Sequence, residues 1–181
     1  MIGIIRRIDE LGRIVLPKEI RKLLNLSTGD ALEIYLENGV VKMQKYLPLS
    51  KNLSEIENIA NGVLNAINKS VVITDSERVL VANGSLSYLK GEKLSKSALE
   101  IISKKSSFSL SKKDGASPIK ITENEKEDCF LQIIMPILSG NSNAVGLISV
   151  CGLSENENFD VTDVKLLKFV SEMLYGYYLK V

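Results

Sequence analysis

Basic side chains are concentrated in the first 25 residues of this 181-residue chain. The six are Arg6, Arg7, Arg13, Lys18, Arg21 and Lys22. Only three acidic residues accompany them, and four of the chain's five arginines are among the six. A guanidinium group binds phosphate oxygens and guanine edges through paired hydrogen bonds. A solvated surface explains an isolated pair such as Arg6 and Arg7, but the whole ordered series favours contact with a nucleic acid.

The net charge of the whole chain is only +1, so any such contact depends on local placement of charge and not on bulk charge. Asp9 and Glu10, together with Asp30 shortly after this region, could be interpreted as a carboxylate site. Their neighbours favour turn and helix-capping roles instead. We therefore expect the basic side chains, and not the carboxylates, to carry the chemistry.

Catalytic and metal-binding chemistry is not expected. The chain has no His, which excludes histidine-based triads and histidine metal sites, and it has no phosphate-binding loop or nucleophile motif. Cys129 and Cys151 stand far apart in apolar runs and lack zinc-ligand spacing. We predict two buried thiols in a reducing cytoplasm, no catalytic residue, no metal ligand, no cofactor and no enzymatic activity.

Short elements must position the basic residues. The β-branched segments 2–8 and 13–16 predict two strands, with a tight turn at Gly12. Pro17 is suited to the first turn of a helix, in which Ile20, Leu23 and Leu24 share one face and Arg21 and Lys22 lie on the other side. The segments 31–36 and 40–46 flank an Asn-Gly pair, which predicts a hairpin.

A module of about 45 residues with such short strands cannot bury enough apolar surface by itself. It has no metal site or disulfide to compensate. The sequence therefore predicts an obligate dimer, in which hairpins of two chains complete one core.

The rest of the chain follows a predicted linker at residues 48–53, so the predicted domains are 1–47 and 54–181. The second domain begins with a helix whose Ser54 and Glu57 match a capping box. Its further predicted elements are a strand–turn–strand at 70–83, a helix capped by Ser95, a polar loop at 103–128 with a weak strand at 118–121, strands at 129–138 and 144–152 joined by a loop at 139–143, and a last helix capped by Asp160. This order predicts an α/β sandwich with an antiparallel sheet and helices on one side, and an α+β class for the whole chain.

The first module resembles the swapped-hairpin DNA-binding domain of the AbrB family. The stretch IIRRIDELGRIVLPKEIRKLLNLSTGDALEIYLENGVVKMQKY carries the resemblance, with the ordered series R-R-x-D-x-L-G-R-x-V-x-P-x-E-x-R. The resemblance implies a dimeric, barrel-like fold of interleaved hairpins. It places DNA contacts at Arg6, Arg7, Arg13, Arg21 and Lys22, and gives Asp9 a role in orienting arginine side chains.

The region from about Ser54 onward resembles a GAF domain. It lacks the signature of cyclic-nucleotide-binding members, because Asn158-Phe159-Asp160 is too short a match. A small-molecule ligand of another kind is left open, and its pocket is not assigned. Asp75 and Asn83 are interpreted either as lining such a pocket or as turn residues.

Together the two resemblances imply a cytoplasmic transcriptional regulator of bacterial sporulation, acting in the forespore, with activation or repression left open. The expected partners are AT-rich or shape-defined double-stranded DNA, a second copy through the first domain, and further copies through the GAF helices to give a tetramer. No membrane association is expected. The alternative is an antitoxin-like or transition-state AbrB-family binding module without ligand sensing.

Overall fold

The computed structural model describes residues 3–24, 26–126, 129–138 and 144–178 and divides the chain into two compact units, Met1–Tyr46 and Leu47–Val181. The first unit contains helix α1, Lys18–Leu23, and strands β1, Leu32–Glu37, and β2, Val40–Lys45. The two strands pair antiparallel around Asn38 and Gly39, whose φ angles are +50° and +76°. Positive φ at both central residues is what a two-residue hairpin turn needs, so the predicted Asn-Gly hairpin is confirmed.

The two predicted strands before α1 are absent from the described residues 3–16. The turn between them is present, because the Gly12 amide donates to the Asp9 carbonyl at 2.9 Å and the Asp9 amide donates to the Arg13 carbonyl at 3.1 Å. A strand is defined by backbone hydrogen bonds to a neighbouring strand. A single copy of the chain supplies no such neighbour here, which explains the difference from the sequence prediction.

Apolar side chains of the first unit are mostly exposed. Pro17 is the only buried residue among those described in this unit. Ile5 is 93% exposed, Leu23 76% and Leu36 73%. A monomeric protein rarely exposes so much contiguous apolar surface. A single copy of the unit therefore has no core of its own, as expected for a module of about 45 residues.

The second unit is built around a five-stranded antiparallel sheet with the order β4-β3-β7-β6-β5. Its elements, in chain order, are α2, Leu53–Ile67; β3, Ser70–Thr74; β4, Val79–Ala82; α3, Lys96–Lys104; β5, Phe108–Ser111; β6, Leu131–Leu138; β7, Ala144–Gly152; and α4, Val161–Tyr178. The predicted joining loop at 139–143 lies outside the described residues.

Both faces of this sheet are covered, so the prediction of helices on one side is wrong. Helices α2 and α4 cover one face, where Ile56 and Leu167 join the same core as Ile148. Helix α3 covers the other face, where Ile101 lies in a second core with Leu147. The sequence carried a signal for this arrangement, because β3 and β7 are continuous apolar runs and not alternating ones.

Two segments expected to be loops contain ordered structure. Pro48–Lys51, inside the predicted linker, forms a turn of 3-10 helix, and Leu49 is fully buried in the core beneath α2 and α4. Helix α2 begins at Leu53 without a side-chain cap, so the predicted capping box is not formed. The segment 103–128 has its strand at β5 and not at 118–121.

Cys129 and Cys151 form a disulfide with 5.7 Å between their Cα atoms, so the prediction of two free thiols is wrong. Cys129 lies just before β6, and the register pairs Gln132 of β6 with Cys151 of β7. The hairpin therefore brings together two residues that the sequence separates by 22 positions. Across the described part of the chain, no helix is both long and apolar enough to traverse a bilayer.

Candidate nucleic-acid interface

The Asp9 carboxylate organises the turn that precedes α1. One of its oxygens accepts hydrogen bonds from the backbone amides of Leu11 at 3.0 Å and Arg13 at 2.8 Å. The other oxygen accepts from the Arg13 Nε at 2.7 Å. The Arg13 guanidinium is consequently held over the turn while its side chain stays 70% exposed. This geometry gives Asp9 the supporting role that the resemblance implied.

The protonation of Asp9 follows from these contacts. The Arg13 backbone amide, and secondly the Arg13 side chain, lower the pKa of the Asp9 carboxyl below its ordinary value. The carboxylate is therefore charged at neutral pH, where it accepts all three of the hydrogen bonds that hold the turn.

Helix α1 places three basic side chains around one cavity. Pro17 precedes the helix, and the Arg21 amide donates to the Pro17 carbonyl at 3.0 Å. Lys18, Arg21 and Lys22 line a cavity of about 460 Å³ with Leu26 and Ser27. The spacing i, i+3, i+4 puts the three on one helix face. Arg21 and Lys22 are predicted site residues and Lys18 is not, although its helical spacing to both already indicated that it belongs with them.

Arg6 and Arg7 lie in the exposed segment before the turn. Within the described residues neither they, nor Arg21, nor Lys22, form an ion pair, whereas Arg13 pairs with Asp9. Four of the five predicted DNA-contacting residues therefore present charges that no carboxylate neutralises within the described chain. Unpaired surface cations of this kind are available to phosphate groups.

Asp30 anchors the β hairpin to the segment after α1. Its carboxylate accepts from the Ser27 amide at 2.8 Å and lies 3.0 Å from the Lys45 Nζ. Both side chains of the ion pair are less than one-fifth exposed. Asp9 and Asp30 thus have the turn roles that the sequence favoured over a carboxylate site.

In the second unit, Asp75 also stabilises a turn. Its Oδ1 accepts from the amides of Glu77 and Arg78, both at 2.7 Å. Asn83 bonds the Asn61 side chain across to α2. The Asp75 contacts support its turn interpretation, whereas the Asn83 contact ties this residue to α2 and favours neither interpretation.

Comparison with known proteins matches the two parts of the chain to two different families, with a boundary close to that between the two compact units. Residues 5–48 match the family described as antidote-toxin recognition MazE, bacterial antitoxin. Residues 52–175 match the family described as stage V sporulation protein T C-terminal, transcription factor. Stage V sporulation protein T of Bacillus subtilis (strain 168) is 31% identical over 150 residues, which cover 82% of each chain. The chain belongs to the stage V sporulation protein T family.

Membership of this family makes the chain a transcriptional regulator of the sporulation class. The transition state regulatory protein AbrB of the same organism is 48% identical over 46 residues, which cover 25% of this chain and 48% of that protein. The GAF domain of an Acinetobacter phosphoenolpyruvate-protein phosphotransferase matches with a TM-score of 0.53 at 14% identity, covering 71% of this chain and 89% of that one. At this identity the match establishes a GAF-like fold and nothing further.

Proposed function

We propose that residues 1–47 bind double-stranded DNA as a homodimer, through Arg6, Arg7, Arg13, Arg21 and Lys22. The observation that carries the proposal is the set of exposed basic side chains on the Asp9 turn and α1, most of them without an acidic partner in the described chain. Lys18 joins the set because it shares a cavity with Arg21 and Lys22. Short elements with few residues able to reach base edges favour recognition of DNA shape and deformability, as found in AT-rich promoters.

The dimer is supported by the apolar surface of the first unit. Side chains that are exposed in one copy, such as Ile5 and Leu36, become buried when a second copy completes the core. Dimerisation also doubles the basic excess of the first 25 residues, which amounts to three charges in one copy. The DNA-binding surface and the dimer are therefore parts of one proposal.

Residues 54–181 serve oligomerisation and ligand sensing in this proposal, with 48–53 joining the two domains. Helix α4 leaves Val161 69% and Phe169 62% exposed, and α2 leaves Leu53 42% exposed. Pairing of these helices between copies would cover apolar side chains and assemble two dimers into a tetramer. The chain has no catalytic role in this scheme, and its place of action is the cytoplasm of the forespore.

The experiment measures binding of the full-length protein to an AT-rich promoter fragment over a series of salt concentrations. Each phosphate contact contributes about one unit to the slope of log affinity against log salt, so Arg21→Ala, which removes one contact in each copy, should reduce the slope by about two. Arg13→Ala should behave in the same way. Lys96→Ala, which removes an exposed lysine of the second unit, is the matched control and should leave the slope unchanged.

Three outcomes would each contradict a part of the proposal. Absence of binding at low salt would assign the first unit to dimerisation or to a protein partner, which is the antitoxin-like alternative favoured by the match of residues 5–48. Equal effects of Arg21→Ala and Lys96→Ala would show that the basic surface has no specific role. A sharp dependence on single base pairs would contradict recognition by shape alone.

A further inference from the structure

We propose that the cleft between α4 and the open edge of β6 binds a small organic carboxylate with an apolar body. This inference rests on the ligand-sensing part of the proposed function and gives it a site and a ligand class. The cleft has a volume of about 580 Å³. Ligand pockets usually measure about 300 to 1,000 Å³, so a small metabolite fits.

The cleft exists because two paired strands differ in length. Strand β5 has four residues and pairs with β6 only from Leu131 to Ile134. The remaining part of β6, from Met135 to Leu138, has no partner strand on that side within the described chain. Strand addition by a peptide is disfavoured, since Pro136 has no amide hydrogen to donate. A small molecule therefore suits this edge better than an added strand.

The floor of the cleft is apolar and fixed. Met135 and Pro136 are buried, and Leu138 lies beside them with 39% of its surface exposed. The Ser171 hydroxyl of α4 donates to the Pro136 carbonyl at 2.9 Å, which ties the helix to the strand at the bottom of the cleft. A floor held in this way is preformed, so a ligand would not have to order it.

The rim of the cleft carries two lysines. Lys105 and Lys168 both line it, and within the described residues neither forms an ion pair. Lys105 ends α3 in the left-handed conformation, with φ +56°. Glycine or asparagine would adopt this backbone at lower cost. A ligand that binds the ammonium group would account for a long cationic side chain at this less favourable backbone position.

The third charged residue of the rim limits the ligand to a low charge. Glu172 stands one helical turn after Lys168 and also lines the cleft. Two cations and one anion leave a local excess of one positive charge, which suits a monocarboxylate and disfavours a polyphosphate. The apolar floor and the Tyr175 ring would receive the body of the ligand. The resulting class is an aliphatic or aromatic monocarboxylate.

The test titrates the full-length protein with benzoate and with benzamide, which has nearly the same shape and no charge. The methyl resonances of Met135 and Leu138 are followed by NMR. Benzoate should produce saturating shifts at these methyl groups, whereas benzamide should bind at least about tenfold more weakly, the usual effect of losing a charge-assisted hydrogen bond. Lys105→Gln and Lys168→Gln should each weaken benzoate binding to a similar extent.

Lys165→Gln is the matched control, because Lys165 is exposed on the same helix but does not line the cleft. The proposal is overturned if benzoate gives no saturating shift, if benzamide binds equally well, or if Lys105→Gln and Lys168→Gln behave as Lys165→Gln does. Inorganic phosphate is titrated in the same way, and binding as tight as that of benzoate would refute the need for an apolar body. Binding of promoter DNA is measured on the same samples, so that failure of this site and failure of the DNA-binding proposal are told apart.

Discussion

Replacement of Leu23 by alanine tests whether the exposed apolar face of the first unit is the dimer interface. Leu23 lies on α1 and is 76% exposed in a single copy. Burial of a leucine side chain contributes about 2 kcal/mol, so a two-fold interface that buries both copies would lose about 4 kcal/mol. This loss corresponds to a dimer dissociation constant raised by about a thousandfold. Alanine favours helix, so α1 itself should persist.

The measurement is sedimentation velocity of the full-length protein over about three decades of concentration, where association follows mass action. At concentrations where the wild-type assembly is intact, the variant should have half its mass, whether that assembly is a dimer or a tetramer. Leu99→Ala is the control, since Leu99 is an exposed leucine of α3 in the second unit. If the Leu23 variant kept the wild-type mass throughout, the face that contains Leu23 would not be the interface.

Three further predictions concern single contacts. The NMR titration of the Asp9 carboxyl should have its midpoint below the ordinary aspartate range. Arg13→Ala should raise this pKa only part of the way back, because the Arg13 backbone amide, which lowers it most, remains in the variant. A full return to the ordinary pKa would show that the side chain, and not the backbone amide, is the main cause. Since this pKa is lowered, the contribution of Asp9 to stability is complete above the ordinary aspartate range and is lost as pH falls through the folded-state pKa. Cys129→Ser should lower the free energy of unfolding in urea by about 3 kcal/mol, as should a reductant acting on the wild type, and a variant as stable as the oxidised protein would refute the stabilising role of the disulfide. Gly146→Ala should lower the free energy of unfolding by about 3 kcal/mol or more, because the added Cβ would lie 1.9 Å from the Thr74 carbonyl oxygen. The variant should therefore have a lower melting temperature, and an unchanged melting temperature would refute the close approach.

Three local signals in the sequence predicted local structure correctly, whereas the capping box predicted at Ser54 and Glu57 is not formed. The Asn38-Gly39 pair forms its hairpin turn. The Ser95 hydroxyl accepts the Ala98 amide at 3.1 Å and begins α3. Asp160 accepts the Asp163 amide at 2.8 Å and so precedes α4 as predicted. Each of these features depends on a few consecutive residues, so the information needed was contained in the motif itself.

Features that depend on distant contacts were predicted less well. The disulfide depends on the register of β6 against β7, which no spacing between the two cysteines expresses. The position of α3 depends on which sheet face remains uncovered after α2 and α4 are placed. Leu49 was assigned to a linker because proline and polar residues surround it, whereas its burial depends on α2, which follows directly, and on α4, which lies far along the chain.

The candidate site was predicted partly by residue type and partly by resemblance. Charge and composition indicated the region, the resemblance supplied the five residues, and the structure adds how Asp9 holds Arg13 and how Lys18 joins Arg21. The contacts of these side chains with DNA stay predictions. The sequence could not indicate the cleft between α4 and the open edge of β6, because its residues come from three separate segments, around 105, 135 and 170.

The differences found in the first unit have one physical cause. The segment before α1 has the β-branched composition of a strand, yet it has no strand partner in one copy, and its Ile5 and Ile8 side chains are 93% and 65% exposed. Arg6 and Arg7 lie between these isoleucines, so the backbone that must pair with a second chain also carries two of the proposed DNA contacts. Ordering this segment costs conformational entropy, about 1 to 2 kcal/mol for each residue, which the dimer contacts must offset. In the proposed dimer, assembly would fix the arginine positions before DNA binds, and we therefore expect DNA affinity to depend on the apolar face as well as on charge.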